Sequence, residues 1–314
     1  MGQTEQRRIA LIGTVNRDTI HTADGVRVES YGGMLYSILS LAQIAEAMIF
    51  PVCNVGRDVE MAVRGFLAPF PCVRSDGIRF VPEPNPHCLL EYDAEGRKRE
   101  TLRGGVPELS FERIAPFLDG CAVCLNFITG MELSLSTLQE VRAATGAPIL
   151  MDVHSLTLGL DSERRRFWRV PPLWEAWLAC ADVVQLNLEE ASLLAGGTLE
   201  GESAVRRFGE HVLGLGPHTL LITRGAQGST TVLRSPAGQV EVRSFDAPPV
   251  GTSEDETGCG DVFLMGFTWA YLQTGDPCRA SRFANRAASI NCSLRGIEAL
   301  GQIGRTLADE GELP

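Results

Sequence analysis

From about residue 110 the sequence alternates short apolar runs with amphipathic ones, and this alternation narrows the fold more than any other feature. AVCLNFI, APILMDVHS and ADVVQLN read as buried strands. SLSTLQEVRAATG, PPLWEAWLAC and LEEASLLAGG read as helices. Ser134 or Ser136 can cap the first of these, with Gly146 at its end, and Pro171 and Pro172 suit the start of the second. Strand–helix–strand units put parallel strands in one sheet and crossover helices on its faces. HTLLITRGAQGSTTVL reads as two strands joined by a glycine turn. Near the start, RRIALIGTVNRDTI opens with a buried strand ending at Gly13. Gly32 and Gly33 then precede a helix with Leu35, Ile38, Leu39, Ala42 and Ala45 at helical spacing. MIFPVCNVGRD reads as the next strand and loop. The class is α/β, and 314 residues suit one large domain.

Residues 76–105 differ in kind. They are rich in turn residues and charge, with short, partly alternating apolar pieces and a turn at DAEGR. A small projecting sheet accounts for them, and residues 14–30 are expected to join it. This lid carries Arg97, Lys98, Arg99 and Arg103. They form either a solvated strand face or a basic surface from which Arg103 closes over an anionic acceptor.

The formal charge of −11 argues against a nucleic-acid-binding surface, which needs a basic face. No run of about 18 apolar residues occurs, so no transmembrane helix is expected. MGQTEQRRIALIG lacks a secretory apolar region, and the chain is expected to be cytoplasmic. Of nine cysteines, Cys121 and Cys124 form a C-x-x-C with no second pair and no His pair, and read as small core residues. Trp168, Trp174 and Trp177 read as packing residues.

In an open α/β sheet, ligands sit outside the carboxyl ends of the strands. Asn126, Asp152, His154, Asn187 and Thr223 fall there. Each taken alone also fits ordinary turn and cap chemistry. With no second histidine near it, His154 reads as a substrate contact or a satisfied turn residue, not a metal ligand.

The stretch DETGCGDVFLMG, residues 255–266, sets glycines and an acid before an apolar helix. Glycines there let backbone amides converge on an anion at a positively polarised helix terminus. Asp261 in the same turn can take a proton from a hydroxyl held beside a phosphate. From these residues alone, a phosphoryl-transfer cradle and a plain helix cap both stay open. The phosphate-loop, dinucleotide, zinc-helix and serine-elbow motifs are absent.

DETGCGDVFLMGF resembles the D-T-x-G-A-G-D signature of the ribokinase-like, phosphofructokinase-B-type carbohydrate kinases. Further likenesses follow in order along the chain: GTVNRD, the double glycine at 32–33, NVGRD, NLEE at 187–190, TRGAQG at 223–228, and FANRAAS followed by RGIEAL. The resemblance implies a three-layer α/β/α fold with a central, mostly parallel sheet and a small β-sheet lid. It implies Asp261 as the catalytic base, with the amides of Gly258, Cys259 and Gly260 as an anion hole. Asn187 and Glu190 would organise Mg2+, with Asp255 a further candidate ligand. Thr223, Gly225, Gly228 and Asn285 would form the ATP site. Asn16, Asp18, Gly32 and Gly33 would bind the acceptor, and Ser37, Asn126, Asp152, His154 and Arg103 complete the acceptor candidates.

The chain departs from the pattern in places. Cys259 stands for the usual Ala, and Glu256 for a Thr beside a loop that binds a monovalent cation in many members, so K+ dependence is left open. GGMLYS differs from ribokinase's own substrate loop, and His154 stands where relatives have Asn, so ribose is not favoured. The expectation is ATP-dependent phosphorylation of a hydroxyl on a small polyol, most often a sugar, by a phosphotransferase acting on an alcohol. A nucleoside kinase, or a non-catalytic binding protein that kept the fold, is the alternative. Many members dimerise through the lid, so a homodimer is expected, with no nucleic-acid or membrane partner.

Overall fold

The computed structural model of the chain describes residues 6–95, 97–235, 237–249 and 255–311. Gly96 of the expected DAEGR turn and the first five residues lie outside these. Nine strands, numbered in chain order, form the central sheet. Across the sheet they run β15 (Val240–Phe245), β14 (Ser229–Arg234), β13 (Thr219–Thr223), β12 (Val183–Asn187), β9 (Ile149–Asp152), β8 (Ala122–Asn126), β1 (Arg7–Ile12), β4 (Ala47–Gly56) and β5 (Ile78–Val81). Every neighbouring pair from β13 to β5 is parallel, and β14 and β15 are antiparallel.

Side chains alternate across a strand with period two, so a sheet covered on both faces needs continuous apolar runs. In β1, Ile9 and Leu11 enter one core, while Ala10 and Ile12 enter the other. The first core packs helices Met34–Ile44, Cys259–Thr274, Pro277–Cys292 and Ile303–Asp309 on the sheet. The second packs Leu135–Ala144, Leu188–Ala195 and Gly201–Leu215. The result is three layers, α/β/α. Helix Cys259–Thr274 lies between the sheet and its neighbours, with Val262 to Ala270 all buried. It stops at Gly275 in the left-handed region, φ 65. The next helix starts at once, with Asp276 capping Cys278 and Arg279 and Pro277 in its first turn.

The lid is a separate four-stranded sheet in the order β3 (Arg27–Gly33), β2 (Val15–His21), β6 (His87–Tyr92) and β7 (Lys98–Arg103). The expected lid span of 76–105 is therefore too wide. Ile78–Val81 pairs parallel with Cys53–Gly56 of β4 and forms the edge of the central sheet. A second element went unread in the sequence, the hairpin of β10 (Leu158–Leu160) and β11 (Arg166–Trp168). Its tip docks on the lid edge, where the Leu102 amide donates to Arg164 O at 3.0 Å and Thr101 bridges Arg165.

The helix expected over PPLWEAWLAC shortens to Trp174–Leu178, because Leu173 before it adopts φ 55. Trp177 packs edge-on against Phe127, with centroids 5.5 Å apart, whereas Trp168 is 49% exposed and serves no core. Cys124 is buried and Cys121 half-buried, both as free thiols. Cys259 and Cys292 are joined in a disulfide between two helices that the sequence placed next to each other without pairing their sulfurs.

Phe127, 1% exposed, follows β8 directly and fills the second core. Phe127→Ala is expected to cost about 3–5 kcal/mol, read as a lowered urea midpoint at unchanged slope.

Candidate active site

The polar residues at the strand ends converge on one side chain. Asp261 lies in the first turn of helix Cys259–Thr274. Its Oδ1 accepts hydrogen bonds from Asn126 Nδ2 at the end of β8 and from Ser37 Oγ, the latter at 3.3 Å. Asn126 Nδ2 also donates to Ser37 Oγ at 2.8 Å. Burial pushes the Asp261 carboxyl up to about 6, although the charge of His154 and the Asn126 and Ser37 hydrogen bonds pull it down.

Position 258 in the loop before Asp261 accepts only glycine. Gly258 has φ 74, and a Cβ there would lie 2.2 Å from Tyr36 Cδ1. Gly260 is held by Gln185 Nε2, which donates to its carbonyl at 3.0 Å. Gln185 is a site residue the sequence reading missed. Its signal was a polar residue inside the apolar run VVQLN. Among the described residues, the amides of Gly258 and Gly260 make no hydrogen bond, while that of Cys259 donates to Glu256 O at 3.2 Å. Two of the three expected anion-hole amides are thus free, and the third closes the turn. Asp255 fixes this turn through Thr257 N, 2.9 Å from its Oδ1, and Asn291 Nδ2 donates to Thr257 O at 3.0 Å.

Beyond Asp261 lies a carboxylate cluster with one histidine. Asp152 ends β9 and is 7% exposed. Its carboxyl is raised well above the usual range, first by burial and then by Glu190 and Asp261. Asn187 and Glu190 form a capping box at the start of helix Leu188–Ala195. Glu190 Oε2 accepts the Asn187 amide at 2.8 Å, and its Oε1 accepts Asn187 Nδ2 at 2.8 Å. His154 Nδ1 stands 3.5 Å from the same Oε1. Its backbone has φ 31, an uncommon conformation outside glycine. Burial opposes the imidazolium, but the ring is 48% exposed, and Glu190, Asp152 and Asp261 together raise it to about 9.

The lid supplies the polar residues on the other side of Asp261. Asn16 Nδ2 donates to Asp18 Oδ1 at 2.7 Å. Burial raises Asp18 to about 7, with Glu100 and Asp261 adding to it. Gly32 and Gly33 allow this approach. A Cβ on Gly32 would lie 2.5 Å from Asp18 Oδ2, and one on Gly33, at φ 62, would lie 2.5 Å from Thr14 O. Arg103 does not reach the site. Strand alternation puts it with His87 on the other face of the lid, and it is exposed. The inner face carries Lys98 and Glu100 instead.

Thr223, Gly225 and Gly228 line the turn between β13 and β14. Gly228 has φ 81, and a Cβ would meet Phe245 O at 2.1 Å. Asn285 is buried and donates to Ser229 Oγ and Phe245 O, at 3.0 and 3.2 Å. It braces this wall. A cleft of 760 Å³ opens beside it, where Arg282 stacks over Phe245. No group of three or more His, Cys, Asp or Glu able to hold a metal occurs among the described residues. Glu190 and Asp255 therefore do not form a protein cage.

Comparisons with known proteins bear on this geometry. Residues 161–300 match the family described as pfkB family carbohydrate kinase. The chain is 45% identical over 126 residues to a ribokinase of Bacillus subtilis, covering 39% of this chain but only 37% of that protein. It is 24% identical over 268 residues to a cytidine kinase of Thermococcus kodakarensis, covering 84% of this chain and 88% of that one. A solved Arabidopsis thaliana ribokinase complexed with ribose and ATP superposes with TM-score 0.73 at 18% identity, covering 96% and 99% of the two chains. A pyrophosphate-dependent kinase in the ribokinase family, complexed with myo-inositol, gives 0.74 at 18%, covering 93% and 98%. The architecture is the ribokinase-like α/β fold. Over residues 161–300 the chain is thus similar to the pfkB family carbohydrate kinases, and ribokinases are among its relatives and structural neighbours.

Asn126 donates to the ionised form of Asp261 and so holds its pKa down. In Asn126→Ala the Asp261 carboxyl is expected to titrate above 6, read by carbon-13 carboxyl NMR against the parent protein.

Proposed function

We propose that the chain is an ATP-dependent kinase that phosphorylates a hydroxyl of a small polyol, with Asp261 as the base. The observation that carries this reading is a half-buried carboxylate in the first turn of a helix, behind glycines whose free amides suit an anion. A plain cap would have no need of Gly258, where a side chain is excluded by Tyr36, or of a carboxyl raised to about 6.

In the proposed reaction the acceptor hydroxyl lies against Asp261 Oδ, which takes its proton as the oxygen attacks the γ-phosphorus, the bond from that phosphorus to the β,γ-bridging oxygen breaks and ADP leaves. The Gly258 and Gly260 amides stabilise charge on the transferring group. Asn126 and Ser37 aim the carboxylate. The imidazolium of His154 offsets the negative charge of Asp152 and Glu190. Asn187 and Glu190 would hold Mg2+, which would supply positive charge against the phosphates. Both Glu190 oxygens are engaged in the capping box, which fits an ion that keeps most of its waters and takes few protein ligands. Thr223, Gly225 and Gly228 would receive the nucleotide. A homodimer through the lid is part of the proposal. No described helix is long and apolar enough to cross a membrane.

A nucleoside acceptor is the second reading, favoured by the match to a cytidine kinase along most of this chain. A binding protein without activity would have no use for Asp261.

ADP release is measured with ATP and Mg2+ against sugars, inositols, sugar acids, sugar phosphates and nucleosides, with pyrophosphate as an alternative donor. Asp261→Asn is expected to lower turnover at least about 10²-fold with ATP binding retained. Turnover near the parent value would remove Asp261 from the chemistry. The base must be ionised, so activity is expected to rise about tenfold per pH unit below pH 6 and to level off above it.

A further inference from the structure

The acceptor side holds groups that the strand-end residues do not account for. Glu100 lies on the inner face of the lid, and its side chain is 17% exposed. Cys88 separates it from Asp18, pairing with Asp18 across β2 and β6 and donating from Sγ to Glu100 Oε1 at 3.1 Å. Lys98 Nζ stands 3.3 Å from Glu100 Oε2. Arg166, from the hairpin unread in the sequence, is 4% exposed and brings Nε to 3.4 Å from Glu100 Oε1. Its other nitrogens donate to Thr129 O at 2.9 Å and Ile128 O at 3.2 Å, on the loop after β8. The guanidinium is thus fixed to the central sheet while it faces a lid carboxylate.

We infer that Asp18 and Glu100 together grip an uncharged polyol, and that Arg166 is the positioning residue that aims Glu100. The inference rests on the kinase reading and names its acceptor class. Beside Asp18 and Asp261, the buried side-chain atoms without a hydrogen-bond partner are two acceptors, on Asn126 and Asn16, while the one such donor, Arg166 Nε, faces Glu100. Asn126 Oδ1, in a residue 4% exposed, and Asn16 Oδ1 are buried without a partner. Both belong to side chains whose amide nitrogens already hold Asp261 and Asp18. Hydroxyl groups donate to such oxygens, whereas phosphates and carboxylates offer only acceptors. The cations at the site are already matched. Lys98 and Arg166 face Glu100, and His154 faces Glu190. Arg97 pairs with Asp93 and Glu95, and Arg103 lies on the outer face. An anionic acceptor would enter beside Asp18, Glu100 and Asp261 with no free cation among the described residues to meet it.

The test uses the full chain with a neutral panel of ribose, myo-inositol and cytidine and an anionic panel of ribose 5-phosphate and gluconate. ADP release and calorimetric binding are both read. The expected acceptor is neutral. Glu100→Gln is expected to raise its KM about tenfold or more, the scale of a lost charge-assisted hydrogen bond, with the KM for ATP unchanged. Arg166→Met is expected to raise the acceptor KM alone, and Arg166→Lys to restore it in part. The double variant Glu100→Gln with Arg166→Met is expected to be no worse than Glu100→Gln, because the arginine acts through the carboxylate. Arg103→Met serves as the control and leaves the KM unchanged.

Turnover of an anionic acceptor, or an unchanged KM in Glu100→Gln, overturns the inference and leaves the kinase reading standing, provided Asp261→Asn is inactive. Additive losses in the double variant overturn the role of Arg166. If no acceptor releases ADP, the kinase reading falls and calorimetry decides the grip. Neutral-polyol binding weakened by Glu100→Gln supports it, and binding only of anions, or of none of the probes, overturns it.

Discussion

One amide group ties the site together. Asn126 Nδ2 donates to Asp261 on one side and Ser37 on the other, so the end of a central strand, the helix after the double glycine and the helix carrying Asp261 meet at a single nitrogen. These three elements are far apart in sequence and adjacent only because β8 sits beside β1 in the middle of the sheet. In a sheet buried on both faces polar groups gather at strand ends, and there the carboxyl ends of β8, β9 and β12 deliver Asn126, Asp152 and Asn187 to the head of the helix that carries Asp261. The position of Asp261 depends on that convergence, and so does its raised pKa, since the same packing that aims the carboxylate strips its water away.

Much of this was legible in the sequence because the signals were local. Apolar runs with period two or 3.6 marked the central strands and both long C-terminal helices, and Asp276–Pro277 announced its helix start. The glycines before Asp261 and the polar strand ends were visible for the same reason. The misreadings came from long-range contacts. Ile78–Val81 carries the same kind of short apolar run as a lid strand, and only its pairing with β4 assigns it to the sheet. Arg103 and Lys98 looked equivalent, and the one-residue phase of the strand alone separates the outer face from the inner one. Gln185 and Arg166 act by reaching across the fold, and no spacing along the chain records that. The Cys259–Cys292 link spans 33 residues and two helices, and was hidden in the same way.

The β10–β11 hairpin changes how the lid relates to the body. A four-stranded sheet projecting alone would be joined to the core by its connecting segments. Here Arg164 donates from its guanidinium to Leu102 O and Gly104 O, while Arg166 holds the loop after β8. The segment between β9 and β12 thus touches both parts, and the acceptor pocket is bounded by a wall that belongs wholly to neither. Because this hairpin is a surface excursion, its residues can change without disturbing either hydrophobic core.

The capping box at Asn187 and Glu190 bears on which residues testify to activity. Its bonds are present without any ligand, so a descendant that had given up chemistry would still keep both residues for the sake of the helix. Asp261 is the opposite case. Its carboxyl ionises near 6 in the fold against about 4 in an unfolded chain. Between those values stability falls as pH rises, and at neutral pH the ionised acid is a net burden on the fold. On the role proposed for Asp261, loss of the aspartate would mark a lost activity, whereas survival of the glutamate would mark nothing.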